Sequence, residues 1–256
     1  MSTAVGSITP ELHFPADGER DGQGWRSELT EMRGRVLYGV SGHPEFRRPD
    51  GAFVDCDPLD AHSYHLLARF QGALVGCCRA VPLSCSKPCV AESLMGRPRL
   101  EELVLSIGGT LERTVEVSRW LVVPDYRTTV VATRLILAMW AVVRWLGARH
   151  ALGMAGTRDG QDQMLLRMGG RAAPGFAPIP SQRFGQSIAA VWFDLTCPPA
   201  RFATVIDEMA VRLRLPRRVE WREPQPERQG IRGPGGRPPE SAFGGRQTDR
   251  RVFPTV

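Results

Sequence analysis

The chain has 256 residues, which is enough for one sizeable hydrophobic core with flanking tails. Its formal net charge is +6, but residues 1–211 contain 22 basic and 22 acidic residues. Residues 212–256 contain 11 arginines and 5 acidic residues, so they carry the whole excess. The lack of net charge over residues 1–211 argues against a nucleic-acid-binding fold, which would concentrate basic residues on its surface.

Both ends of the chain are rich in glycine, proline and charged residues. Such segments cannot bury enough apolar surface to offset the entropy lost on ordering. We therefore expect disorder over residues 1–24 and 214–256, and one folded domain over residues 25–213. The first segment lacks the apolar stretch of a signal peptide, and this predicts a cytoplasmic protein with reduced cysteines.

The first half of the domain predicts a helix, a hairpin and a second helix. Apolar residues recur at helical spacing over residues 25–38. After an acidic loop, two apolar runs at 63–70 and 73–82 flank Gln71-Gly72, which predicts a tight β-hairpin. A loop rich in Ser, Pro and Cys follows, and the spacing of apolar residues over 100–107 predicts a short amphipathic helix.

The second half alternates strands with helices. Strands are predicted at 114–123, 150–156 and 188–195, and helices from about 130 to 146, at 161–168 and at 199–213. The helix before Gly147 is apolar on nearly every side. It is short for a membrane span and contains Arg134, so the pattern favours a buried helix on a sheet over a transmembrane helix. Together the elements predict an α/β fold with a mixed central sheet flanked by helices.

Two charged residues, Glu116 and Arg119, lie inside the apolar strand 114–123. Buried charges need partners or mark a functional site. Because side chains alternate along a strand, Glu116, Ser118 and Trp120 share one face and Arg119 faces the other way. If Glu116 and Arg119 serve one site, the strand must contain a β-bulge. On the pattern alone, separate ion pairs on the two faces remain an equal alternative.

Further polar residues stand in a characteristic order around this strand. Arg33 precedes Val36-Leu37-Tyr38, Asp57 and Asp60 precede the hairpin, and Arg79 follows Gly76-Cys77-Cys78 on its second strand. With Glu116-Val117-Ser118-Arg119 and the later Gly156-Thr157, this order resembles two related families over roughly residues 25–196. These are the N-acyl-homoserine-lactone (autoinducer) synthases and the N-acyl amino acid synthases, both with GNAT-like acyltransferase folds.

The resemblance implies an N-acyltransferase that moves an acyl group from a thioester carrier to the amine of an amino acid or a related small molecule. It implies Glu116 as the general base, with Ser118 and Arg119 beside it. It also implies that four further residues bind the amine substrate: Arg33, Asp57, Asp60 and Arg79. The alternatives are a lactone synthase that uses S-adenosylmethionine and a non-catalytic GNAT-like binding protein. Leu37 and His43 stand where lactone synthases have Phe and Trp in the S-adenosylmethionine pocket, which favours the amino acid synthases.

The donor side is implied by the segment that follows the strand. Arg127-Thr128-Thr129-Val130-Val131-Ala132 stands where relatives that use coenzyme A have a glycine-containing pyrophosphate loop. Val130 replaces the central glycine, and its side chain would crowd a phosphate. This favours an acyl carrier protein over coenzyme A as the donor, with exposed arginines as its contacts: Arg127, Arg134, Arg144 and Arg149. The candidate donor-binding residues are Trp120, Val122, Arg127, Thr128 and Thr129.

The six cysteines suggest no other chemistry strongly. Cys85 and Cys89 have no second ligand pair at zinc spacing, so no bound metal or cofactor is expected. An acyl-cysteine route through Cys77 or Cys78 is a rival mechanism, but no base with a clear relation to either thiol is visible in the sequence.

Overall fold

The computed structural model describes residues 8–14, 24–41, 44–127, 130–158 and 160–215. Within these residues one eight-stranded sheet is flanked by six α-helices. The strands are β1 (Ile8–His13), β2 (Tyr64–Phe70), β3 (Ala73–Pro82), β4 (Thr114–Val122), β5 (His150–Gly156), β6 (Arg171–Ala172), β7 (Ile179–Ser181) and β8 (Gln186–Asp194). The helices are α1 (Gly24–Ser41), α2 (Val90–Met95), α3 (Arg97–Ser106), α4 (Val131–Trp145), α5 (Gln161–Arg167) and α6 (Ala200–Arg212).

The strand order is β1-β2-β3-β4-β5-β8-β6, with β7 also paired to β8. All neighbouring strands are antiparallel except β4 and β5, which are parallel. A parallel pair requires a crossover, and the segment containing α4 provides it. The ladder between β4 and β5 extends only from the pair Thr114–His150 to the pair Val117–Gly153. Beyond that point each strand continues without the other, and the sheet is open between them.

Helices cover both faces of the sheet. On one face α4 and α6 share a large apolar cluster with the inward residues of β2 to β5 and β8. On the other face α1 packs on β2 and β3, while α2 and α3 cover the region of β5 and β8. Because α4 lies between the sheet and α6, most of its side chains are buried, including Leu135, Met139 and Val142. No helix in the described part of the chain is long and apolar enough to cross a membrane.

The predicted α/β fold with a mixed sheet is confirmed, and the predicted helices and strands lie within a few residues of those observed. In the hairpin turn, Gln71 and Gly72 both have positive φ angles, as tight two-residue turns require. The structure also contains elements that the patterns do not indicate: α2, β6 and β7. In α2, the Sγ of Cys89 accepts a hydrogen bond from the N–H of Glu92, although cysteine is not a usual capping residue.

The expectation that residues 1–24 are disordered is wrong where the structure describes them. Residues Ile8–His13 form β1, which pairs antiparallel with β2 from Ile8–Phe70 to His13–His65. The overall composition of the segment hid this strand, because only six of its residues are needed to extend the sheet. The expected disorder of the C-terminal segment concerns residues that lie almost entirely outside the described part, which ends at residue 215.

Candidate functional site

Strand β4 contains a β-bulge at Arg119. Cys77 pairs with Leu121, but Arg79 pairs with Ser118, so β4 has one more residue than β3 between these pairs. Arg119 has a φ of +52°, a left-handed conformation that is uncommon outside glycine. As a result, Ser118 and Arg119 point to the same face, and Trp120 packs towards α4. The sequence predicted a bulge on the condition that Glu116 and Arg119 serve one site. The bulge is present, and the shared site stays a prediction.

Three arginines and three aspartates meet on the α1 face of this bulge. We call this group the ion network, and its members are Arg33, Asp55, Asp57, Asp60, Arg79 and Arg119. Arg33, on α1, donates from Nε to Asp55 Oδ2 at 2.8 Å. Its Nη1 and Nη2 donate to the two carboxylate oxygens of Asp60, both at 2.9 Å.

The other two arginines complete the ion network from the sheet. Arg79 Nη1 lies 2.9 Å from both Asp57 Oδ2 and Asp60 Oδ1, and Arg79 Nε donates to Ser118 Oγ at 3.3 Å. Arg119 donates from Nε to Asp55 Oδ2 at 2.9 Å and from Nη2 to Asp57 Oδ2 at 3.0 Å. With three charges of each sign, the group is neutral as a whole.

Glu116 lies apart from the ion network, at the start of α2. It is fully buried, and its Oε2 accepts a hydrogen bond from the N–H of Ala91 at 2.7 Å. Its Oε1 has no hydrogen-bond partner among the described residues. Two positions along β4, the hydroxyl of Ser118 lies on the same face. The described structure gives no hydrogen bond or ion pair from Glu116 to the ion network.

A cavity of about 650 Å³ opens where β4 and β5 part. Five residues singled out from the sequence line it: Ser118, Arg119, Trp120, Val122 and Arg127. The other five described candidates do not line it: Arg33, Asp57, Asp60, Arg79 and Glu116. Thr128 and Thr129 lie outside the described residues. Ser118 and Arg119 therefore join the cavity to the ion network.

The cavity has an apolar interior and a charged rim. Its apolar walls come from α4, β5, β8 and the residue after β8, and include Ile136, Met139, Trp140, Phe193 and Leu195. The charged side chains of its lining are Arg119, Arg127, Arg158, Arg183 and Glu45. Arginines therefore outnumber acids at this cavity, and it suits a ligand with an apolar chain and an anionic end.

Comparisons with known proteins agree with this architecture. Residues 36–137 match the model of the acetyltransferase (GNAT) domain. The structure resembles the CoA-dependent acyl-homoserine lactone synthase BjaI, with a TM-score of 0.59 and 19% identity, covering 84% of this chain and 93% of that one. TofI, solved with an inhibitor and MTA, gives a TM-score of 0.57 and 20% identity, covering 78% and 96% of the two chains. The chain has the GNAT acyltransferase fold.

The AHL synthase LasI also has this fold, with a TM-score of 0.54 and 14% identity over 74% of this chain and 91% of that one. No curated protein sequence matches the chain. At these identities the likeness establishes the GNAT fold, which is the fold that the sequence resemblance predicted.

The arginines of the ion network keep two of its aspartates, Asp57 and Asp60, ionised in spite of their burial. Burial alone would raise the pKa of Asp60, but the hydrogen bonds and charge of Arg33 outweigh it and lower that pKa. Likewise, burial opposes the ionisation of Asp57, and the charge of Arg79 lowers its pKa in spite of this. The neighbouring imidazole of His65 behaves differently, because burial lowers its pKa to about 4 and keeps it neutral.

The thiols near the bulge are poor nucleophiles. Burial raises the pKa of Cys77 to about 12 and raises that of Cys78 well above the usual value. Since the thiolate is the reactive form, this argues against the acyl-cysteine route. All six cysteines are free, and no cluster of metal-ligating side chains appears among the described residues.

Asp55 is the member of the ion network that the sequence analysis missed. It is 3% exposed and binds both Arg33 and Arg119. Charge balance could not have identified it, because the resemblance already matched the three arginines with three acids, Asp57, Asp60 and Glu116. The only signal was its place in the run Asp55-Cys56-Asp57, two residues before a predicted site residue.

Proposed function

We propose that this protein is an N-acyltransferase that moves an acyl group from a thioester carrier to the amine of an amino acid or a related small molecule. The observation that carries the proposal is the opening between β4 and β5, beyond the Val117–Gly153 pair. It leaves one edge of β4 without a neighbouring strand, directly beside an apolar cavity. The amide groups of a phosphopantetheine arm can add to such an edge as a strand would.

In this proposal the acyl chain occupies the apolar part of the cavity, beside Ile136 and Met139 of α4. The thioester lies at the bulge, where backbone N–H groups of residues 120–122 are candidates to bind the developing oxyanion. The N–H of Val123 already donates to the carbonyl of Val75 at 3.0 Å. The arginines at the rim receive the phosphate of the donor, and Arg127 follows β4 directly. Its Nε already donates to the carbonyl of Val122 at 3.1 Å, which orients the side chain.

Glu116 is the proposed base that removes a proton from the acceptor amine. Its Oε1 accepts no hydrogen bond among the described residues, and the buried thiol of Cys89 lies beside the carboxylate. A water molecule or a substrate group is the proposed further partner of this oxygen. Because Glu116 does not line the cavity, the proton reaches it through a water molecule beside the hydroxyl of Ser118. The ion network holds Ser118 and Arg119 in place, and the thiolate leaves with the carrier.

The donor is proposed to be an acyl carrier protein in preference to coenzyme A. Val130 is 55% exposed at the start of α4, where it would crowd a pyrophosphate. Coenzyme A remains the competing donor, since BjaI is described as a CoA-dependent synthase. An Arg127→Gln variant tests the phosphate contact. It should raise the KM of phosphate-bearing donors about ten-fold and leave an acyl-pantetheine without phosphate unaffected.

The second candidate function is acyl-homoserine-lactone synthesis from S-adenosylmethionine. Its support is the fold likeness to BjaI, which was solved with SAM and isopentyl-CoA. Against it, three arginines outside the ion network and one glutamate line the cavity, namely Arg127, Arg158, Arg183 and Glu45. This excess of positive charge is unfavourable for a cationic sulfonium. Leu37 also lines the cavity where those synthases have Phe, and His43 lies outside the described residues.

Mass spectrometry of organic extracts from bacteria that express the protein tests both candidates. The variant is Glu116→Gln, and its matched control is Glu102→Gln, an exposed position on α3. New N-acyl amino acids that disappear only in Glu116→Gln support the main proposal. Acyl-homoserine lactones favour the second candidate. No product from the unaltered protein, with purified acyl carrier protein and coenzyme A donors also inactive, refutes both and favours a non-catalytic binding protein.

A further inference from the structure

The bulge at Arg119 needs support that an ordinary strand does not. The left-handed conformation of Arg119 is unfavourable for a long side chain, so neighbouring groups must hold it. The extra residue also interrupts the ladder between β3 and β4, so a backbone group there needs a partner from outside the ladder. Cys77 and Asp55, which the sequence analysis did not place in the site, meet these two needs.

Cys77 provides the backbone partner. Its thiol donates to the carbonyl oxygen of Arg119, with 3.4 Å between sulfur and oxygen. The side chain is buried under α1, and its raised pKa means that the thiol keeps the proton that it donates. The adjacent Cys78 points to the opposite face, and its sulfur lies 3.8 Å from the nearest acceptor, the carbonyl oxygen of Leu135.

Asp55 holds the side chain. Its Oδ2 accepts from Arg119 Nε at 2.9 Å and its Oδ1 from Arg119 Nη2 at 3.3 Å. Asp55 is itself fastened to α1, because Arg33 donates to its carboxylate at 2.8 Å and to its carbonyl at 3.0 Å. Its own N–H donates to the carbonyl of Thr30 at 3.0 Å. These contacts with α1 therefore fix the position of the carboxylate independently of Arg119.

We propose that Asp55 and Cys77 are positioning residues, which hold Arg119 in its left-handed conformation and so maintain the open edge of β4. Neither residue lines the cavity, so both act through Arg119. Without the bulge, regular alternation would turn Arg119 to the α4 face and away from Ser118. The effect on acyl transfer rests on the function proposed above, but the contacts themselves do not.

A double-mutant cycle separates this role from a general contribution to folding. Asp55→Asn alone should lower kcat/KM about 100-fold, because small displacements at a reacting centre are costly. In an Arg119→Gly background, glycine adopts the left-handed conformation unaided, and Asp55→Asn should then change activity by no more than about two-fold. Asp50→Asn, at an exposed position of the same loop, is the control and should leave activity unchanged.

The thiol is tested by substitution and by infrared spectroscopy. Cys77→Ser retains a hydrogen-bond donor, so the KM for the acyl donor should stay within about three-fold of its original value. Cys77→Ala removes the hydrogen bond and should raise that KM about ten-fold. Difference spectra against Cys77→Ala and Cys78→Ala isolate the two S–H stretching bands. The Cys77 band should lie at lower wavenumber, because its hydrogen bond is shorter.

Two results overturn the proposal. One is an equal effect of Asp55→Asn in both backgrounds, which would mean that it acts through Arg33 alone. The other is a Cys77 band at the frequency of a free thiol. If the protein transfers no acyl group at all, the same variants are compared by their free energies of unfolding in urea. A coupling free energy between Asp55 and Arg119 is expected there whether or not the protein is an acyltransferase. A failure of the proposed function is therefore distinguishable from a failure of this inference.

Discussion

Arg33 and Arg35 are two residues apart on α1, and they show how strongly burial determines what a charged residue contributes to stability. Arg33 is fully buried and binds Asp55 and Asp60. Arg35 is exposed, forms an ion pair with Glu31 on its own helix and lies over the ring of Phe53. Removal of a buried partner leaves carboxylates without compensation, while an exposed pair is screened by water.

We therefore predict that Arg33→Met lowers the free energy of unfolding by about 3–5 kcal/mol, the usual effect of breaking a buried pair. Arg35→Met, its matched control two residues away, should change it by no more than about 0.5 kcal/mol. Urea unfolding followed by circular dichroism measures both. Equal effects of the two substitutions would show that the ion network does not stabilise the fold.

The sequence predicted the members of the site better than their arrangement. The resemblance correctly grouped Arg33, Asp57, Asp60 and Arg79, because their order along the chain follows the order of the elements that carry them. It also grouped Glu116 with them, but that side chain binds the backbone of α2 instead. Alternation tells which face of a strand a residue occupies, and it does not tell which helix covers that position.

Strand β4 shows what a sequence pattern reveals about an element and what it leaves hidden. A charged pair on apparently opposite faces indicated either a bulge or separate partners on the two faces. The structure has the bulge, and Glu116 nevertheless lies apart from the ion network. The end of pairing with β5 was not predicted, because β5 remains apolar beyond Gly153 and the polar residues Ser118 and Arg119 of β4 were attributed to the site. There the apolar residues face a cavity, and cavity-lining and core residues have the same composition.

At the scale of the element, α4 offers a test of that cavity. Ile136 is partly buried and lines it, so Ile136→Trp should fill part of the space that the proposed acyl chain needs. We expect kcat/KM for long-chain donors to fall at least about ten-fold more than for short-chain donors, in line with the energy of a few buried methylenes.

Leu105→Trp, at a position 72% exposed on α3, is the control for that substitution and should not alter chain-length preference. Assays with a series of acyl donors of increasing length measure the effect. A uniform loss across the series would mean that Ile136→Trp disturbs the fold and that the acyl chain lies elsewhere.

For the molecule as a whole, buried titratable groups link stability to pH. His65 is buried under α1, and this burial is the main cause of its lowered pKa, to which the charges of Arg33 and Arg79 add. The carbonyl oxygen of Asp60, 3.0 Å from Nε2, acts in the opposite direction. The pKa of His65 is about 4 in the folded chain but about 6.5 when unfolded. The unfolded chain therefore binds the proton more readily, and stability is lost as pH falls from about 6.5 to about 4.

This shift predicts a loss of up to about 3 kcal/mol across that interval, which His65→Gln should remove from the pH profile. His62→Gln, at an exposed position three residues away, should leave the profile unchanged. Urea unfolding at half-unit steps between pH 7 and pH 4 measures the slopes. His150, whose pKa burial also lowers, remains in every variant, so only the difference between slopes reports on His65. Parallel profiles for the unaltered protein and His65→Gln would mean that His65 reaches water in the folded state, and that α1 does not seal the ion network from solvent.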